Sequence, residues 1–166
     1  ISGFFIVLMR SLVMSDLGFG PLEIASTGVI GGLISMPLPA LMGWLSDKID
    51  RRTFLIFGYS PVFAALILLA FSNSLWEFWL VLVFQGIATG STSSIGNAWV
   101  TDVVPRESLG KGLALYGSTI WIGGVIGFAV SGYVLGNIGV TPTLLIGSLL
   151  ALGAIGLLMQ IKPRAR

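Results

Sequence analysis

The segment Gly43-Trp44-Leu45-Ser46-Asp47-Lys48-Ile49-Asp50-Arg51-Arg52 holds five charged residues in ten positions, in a chain that is 10% charged overall. Basic side chains at a membrane surface can snorkel and anchor, which is the plain reading of such a segment. Its layout allows more. Gly43 lets a neighbouring helix approach, Leu45 and Asp47 close one apolar stretch, and Lys48, Arg51 and Arg52 lead into the next. A carboxylate beside the positive N-terminus of a partner helix, with arginines in reach, forms a latch that can hold or release two helices.

Three other groups of residues could act on a solute. Arg10 is the one basic residue inside an apolar stretch. Insertion scales put a charge at a helix centre at a cost of at least about 2.5 kcal/mol, so Arg10 needs either a solute or ion to contact, or a snorkelling position paired with Asp16. Gln85, Thr89, Thr92, Ser93 and Asn97 recur at spacings of three and four, one polar stripe among Phe84, Ile87, Ile95 and Trp99. Such a stripe avoids lipid, so it bonds to neighbouring helices or lines a cavity; Gln85 and Thr89, nearest mid-depth, are the preferred solute contacts. Pro37 and Pro39 each remove a backbone donor, so their helix should bend or open locally, as a tolerated kink or as a gate.

The chain contains no cysteine and no histidine. Thiol nucleophiles, disulfides, Cys/His zinc sites and imidazole bases are therefore excluded, and neither an enzyme nor a cofactor or metal is expected. No Asp or Glu falls at mid-depth in an apolar stretch. If transport is proton-coupled, the titrating carboxylate is expected in another part of the protein. No basic run with interleaved aromatics points to nucleic acid.

These residues are set in 166 positions that are 55% hydrophobic, with 23 glycines and a mean hydropathy of +0.97. That is too apolar for one soluble core, and the lipid bilayer is the expected solvent. A helix needs about 20 apolar residues to cross the hydrocarbon core, and six candidates emerge: Ile1 to Met14, Ile24 to Leu45, Thr53 to Phe71, Trp76 to Val104, Leu113 to Leu135 and Thr143 to Ile161. The first is short and begins at Ile rather than Met, which reads as a helix cut at its N-terminus rather than a signal peptide. The pairs Gly28/Gly32, Gly86/Gly90, Gly123/Gly127 and Gly132/Gly136 have the spacing of close helix packing.

Alternate loops separate by charge. SDLGFGPLE, SNSLWE and GNIGVTP contain no Lys or Arg, whereas SDKIDRR, PRESLGKG and KPRAR contain eight of the nine. By the positive-inside rule the basic side is cytoplasmic, which places the C-terminus inside an inner or plasma membrane.

The charged segment resembles a loop motif of the major facilitator superfamily of secondary transporters, Gly-x-Leu-x-Asp-basic-x-Gly-Arg-basic. Gly43, Leu45, Asp47, Lys48, Arg51 and Arg52 match it, and Asp50 stands where the family prefers glycine. TDVVPRESLGKGLALYG is similar to the family's junction between helices four and five, or ten and eleven. The resemblance implies a conformational latch at the cytoplasmic face and a half-bundle of six helices built from two inverted three-helix repeats. These would lie at about residues 1–72 and 75–161 of a single domain, 1–166. Leu82 stands where N-terminal halves often carry arginine, and the glycine-proline antiporter motif is missing from GSTIWIGGVIGFAVSG, so the chain is expected to be the C-terminal half. Aligning Gly43–Gly58 with Gly132–Gly147 pairs Gly43 with Gly132, Ile49 with Ile138, Leu55 with Leu144 and Gly58 with Gly147, a faint echo of inverted repeats.

The expected function is secondary transport of a small solute by alternating access, with proton-coupled efflux of amphipathic, drug-like compounds as the leading cargo. Uptake of a sugar, nucleoside or organic acid stays open. So does a non-transporting sensor or scaffold of the same fold. The expected partners are the solute, the bilayer and an N-terminal six-helix half, or a second copy if the protein is half-size.

Overall fold

The computed structural model describes residues 2–46, 48 and 51–160, with the backbone alone for Ser46, Arg51, Arg52 and Leu55. Asp47, Asp50 and the tail from Ile161 lie outside the described residues. Every regular element described is helical: α1 (Ser2–Asp16), α2 (Pro21–Ser35), α3 (Leu38–Ser46), α4 (Arg51–Phe71), α5 (Leu75–Val103), α6 (Leu109–Ile138) and α7 (Val140–Gln160). A single 3-10 turn, Arg106–Ser108, leads into α6. An all-helical chain follows from an apolar solvent, in which each segment must satisfy its own backbone.

Among the described residues, four segments are long and apolar enough to cross a membrane: Pro21–Leu45, which joins α2 to α3, then Leu75–Val103, Arg106–Ile138 and Val140–Gln160. Helix α1 has 15 residues, about 22 Å at 1.5 Å per residue and short of a roughly 30 Å core. The apolar stretch of α4, Ile56–Phe71, is also shorter. Helix α6 begins at Leu109 rather than at Leu113, because a helix ladder needs only backbone partners and continues through Lys111 before the apolar run starts.

Helix ends are set by specific residues. The Glu77 carboxylate accepts from the backbone N–H groups of Asn73 (2.6 Å) and Ser74 (2.9 Å) at the start of α5, and Glu23 accepts from Gly20 N–H (2.8 Å) beside Pro21 at the start of α2. Gly18 and Gly139, at φ 83° and 85°, turn the chain out of α1 and between α6 and α7 in the left-handed region that glycine enters without strain. Inside α4, Pro61 cannot donate to the Phe57 carbonyl. The Ser60 hydroxyl donates to that carbonyl instead, at 2.9 Å.

Packing joins the helices at both ends. One cluster gathers Met14, Leu69, Phe78 and Leu144, with Phe19, Leu75 and Val140 against it, at the end where α1, α4 and α6 finish and α2, α5 and α7 begin. Phe19 meets Phe78 edge-on there, with ring centroids 5.6 Å apart. The opposite cluster gathers Phe54 and Ile95 with Met42, Leu45, Trp99 and Leu158. Consecutive rods therefore alternate in direction, and α3, α5 and α7, which the three basic segments follow in the sequence, all end at the second cluster. Helix α4 packs on α5 and α7, α2 and α3 pack on α5, and α1 packs on α6 and α7.

Four of the close approaches between helices form two matched pairs. A Cβ at Gly58 of α4 would meet Ser91 of α5 at 2.8 Å, and one at Gly147 of α7 would meet Phe5 of α1 at 3.0 Å. Likewise, Gly31 of α2 lies against Leu82 of α5, and Gly124 of α6 against the Phe4 ring of α1.

Candidate functional site

Arg10, Gln85 and Thr89, three residues singled out by type and position, line one cavity of about 180 Å³. Its other walls are Leu82 and Gly86 of α5 and Gly28, Gly31, Gly32 and Ser35 of α2. On α2 and α5 these residues start about two turns in from the helix N-termini at Pro21 and Leu75, so the cavity lies partway along the helices, and it is open on the side of Gly28, Gly32 and Thr89. A Cβ at Gly28 or Gly32 would meet nothing within 4 Å, so these two glycines hold space open rather than pack a neighbour.

Arg10 is half-buried, and its Nε is enclosed with no hydrogen-bond partner. Pairing with Asp16 is not how the charge is met: six positions along one helix leave the two side chains about 120° apart around the axis, and Asp16 is exposed. Asn97 does not line this cavity. From Gln85 it is twelve positions on, about 18 Å along the axis and turned about 120°, and it is exposed elsewhere on α5.

The hydroxyls of the polar stripe turn inward on their own helix. Thr92 donates to the Ala88 carbonyl at 2.8 Å and Ser93 to the Thr89 carbonyl at 2.7 Å. Bonds between helices come from two residues the stripe does not include: Ser94 donates to the Pro39 carbonyl at 3.1 Å, and Tyr116 of α6 donates to the Thr92 carbonyl at 3.1 Å. The one available signal for Ser94 was its place after Gly86 and Gly90 at four-residue spacing.

Pro37 and Pro39 split the expected second span into α2 and α3 beside the cavity, at Met36 and Pro37. Helix α5 presents its smallest residues to this break. A Cβ at Gly86 would fall 2.6 Å from Ser35 Oγ, and one at Gly90 would fall 3.0 Å from Leu38 Cβ. The break is thus seated on a smooth face and tied by the Ser94 hydroxyl.

The latch residues are only partly described. Gly43 has no described atom within 4 Å of a Cβ placed on it, and Leu45 packs with Phe54, Ile95 and Leu158. The Lys48 ammonium lies 3.7 Å from the centroid of the Trp44 ring. Arg51 and Arg52 open α4, and Asp47 lies outside the described residues.

A second cavity, about 390 Å³, opens among α4, α5, α6 and α7 at the end that carries the basic segments, with Tyr59, Trp99, Val103, Tyr116 and Leu158 in its wall. It is larger but contains no charged side chain.

Residues 1–166 match the family model of the Major Facilitator Superfamily. A 98-residue stretch, 59% of this chain, is 31% identical to the tetracycline resistance protein, class H, of Pasteurella multocida and covers 24% of it. A TsgA homolog of Buchnera aphidicola is 28% identical over 97 residues, 58% of this chain and 25% of that protein. YncC of Bacillus subtilis is 24% identical across 93% of this chain and 35% of its own length. The matched part thus spans between 24% and 35% of these curated relatives. With the match extending over every residue, the chain belongs to the Major Facilitator Superfamily and is an integral membrane protein.

Proposed function

We propose that the chain is the C-terminal six-helix half of a secondary transporter that moves a small amphipathic solute across the cell membrane by alternating access, with its C-terminus on the cytoplasmic side. The open cavity of Arg10, Gln85 and Thr89, between α1, α2 and α5 and beside the α2/α3 break, carries this reading. A solute held there would touch a span that is broken into two helices, where local movement costs less than in a continuous helix.

Further support comes from the matched close approaches: α4 meets α5 as α7 meets α1, and α2 meets α5 as α6 meets α1. That exchange of partners is what two inverted three-helix repeats would produce. The alternation of rod direction, with basic segments after the ends at one cluster, favours six crossings and an inward-facing tail. Similarity to a tetracycline resistance protein favours export of drug-like compounds, driven by proton antiport through a carboxylate in the partner half.

The test is flux through the intact protein that carries this chain, reconstituted in sealed vesicles under an imposed proton gradient. Protein-dependent movement of tetracycline, or of a labelled sugar, nucleoside or organic acid, that collapses with a protonophore is the expected result. Absence of flux for the whole panel, with folded protein in the membrane, would overturn the reading in favour of a sensor or scaffold.

A further inference from the structure

We infer that the α1/α2/α5 cavity takes a small organic monoanion, a carboxylate on a compact apolar body, with Arg10 as its counter-charge; this rests on the reading of the cavity as a solute site. Two enclosed side-chain nitrogens of the described residues have no hydrogen-bond partner, Arg10 Nε and Trp79 Nε1, and Arg10 is the charged one of the two. Buried hydroxyls are satisfied by carbonyls of their own helices: Thr27 at 2.6 Å, Ser72 at 2.8 Å, Thr143 at 2.6 Å and Ser148 at 2.7 Å. The Arg10 Nε is enclosed and has no partner at all. An arginine whose Nε is shielded from water gains most from an acceptor that also brings a counter-charge.

No carboxylate of the described residues supplies them. The cavity wall contains no acid. Asp16 is exposed at the end of α1, Glu23 and Glu77 cap the first turns of α2 and α5, and Asp102 and Glu107 stand at the other end of the bundle. What is missing from the cavity is therefore one negative charge with two acceptor oxygens, and a carboxylate meets the guanidinium fork in that way. Ser35, Thr89 and Gln85 add hydroxyl and amide donors around the same space. Leu82 and the side-chain-free surface of Gly28 and Gly32 leave an apolar wall for the rest of the molecule. The volume of about 180 Å³ is below the roughly 300–1,000 Å³ of drug-sized sites, so this chain's share of the site accommodates the carboxylate and a compact apolar group beside it.

The experiment is equilibrium binding to the intact protein in nanodiscs, read as thermal stabilisation by acetate, butyrate and benzoate, each against its own amide. A carboxylate that raises the unfolding temperature saturably, while its amide does not, is the expected result. Arg10→Gln should weaken that carboxylate about tenfold or more, and Arg10→Lys, which keeps the charge and loses the fork, by less. Should Arg10→Gln fail to fold, Gly32→Val takes its place, since it fills the cavity without altering charge and should remove the stabilisation. Carboxylates that behave as their amides do, as when an acid elsewhere in the protein already occupies Arg10, would overturn the inference; so would carboxylate binding unchanged in the variants. Because no gradient is used, anion binding without flux would remove only the transport reading, whereas solute flux unchanged in Arg10→Gln would remove only the anion site.

Discussion

The Tyr116 phenol of α6 occupies the place that a side chain at Gly96 of α5 would take, and its hydroxyl donates to the Thr92 carbonyl oxygen at 3.1 Å. Two helices are thus joined by a match of large against absent side chain, with one hydrogen bond fixing the ring. Tyr116→Phe deletes only the bond and should cost about 1 kcal/mol. Gly96→Ala puts a methyl group where the phenol lies and should lower the unfolding temperature of the intact protein further. The double variant Gly96→Ala/Tyr116→Ala should lose less than the sum of its single changes, because the second change removes the clash created by the first.

Glycines at equal spacing serve different ends on α2 and α5. Gly86 and Gly90 touch Ser35 and Leu38, whereas Gly28 and Gly32 face open space in the cavity. Gly90→Val should therefore destabilise the fold, since the nearest atoms include backbone that cannot give way. Gly32→Val should leave the unfolding temperature close to wild type and reduce solute binding. Paired measurements of unfolding temperature and flux check both, and an equal loss of stability in the two variants would contradict the distinction.

Much of this arrangement was legible in the sequence, and the remainder was not for physical reasons. Apolar runs bounded by charge or glycine gave the rods, and two prolines gave the split in the second one. Arg10, Gln85 and Thr89 were found because a charge in an apolar run and polar residues at a helical period are both local signals. Asn97 was drawn in by the same period, but a straight helix turns about 100° per residue, so a stripe drifts off its face over three turns. Tyr116 carries no local signal, and Ser94 only its place four residues after Gly90. Each bonds to a backbone carbonyl on another helix, and a carbonyl has no letter in the sequence.

The α2/α3 break is held by Ser94 and by the glycine face of α5, and neither Pro37 nor Pro39 can donate to the ladder. Replacing both with alanine restores the two missing donors and favours one continuous helix. Pro37→Ala/Pro39→Ala should raise the unfolding temperature slightly and lower the maximal flux several-fold, with little change in the solute concentration for half-maximal flux. A tolerated kink without a gating role would instead leave maximal flux unchanged.

At the opposite end of α3, Lys48 is engaged by its own chain, with its ammonium 3.7 Å above the Trp44 ring. An ammonium held over an indole is a poor candidate for a movable ion pair, so the proposed latch is tested at Asp47, with Lys48 as the control. Arg51 and Arg52 occupy the first turn of α4, where the helix dipole disfavours positive charge. An acid just before that turn offsets both terms at once, and its loss should release the helix end. Asp47→Asn should therefore abolish flux while leaving protein level and unfolding temperature near wild type, and Lys48→Met should retain most of the flux. Flux that survives Asp47→Asn would remove the latch from the mechanism and leave the charged segment as a surface anchor.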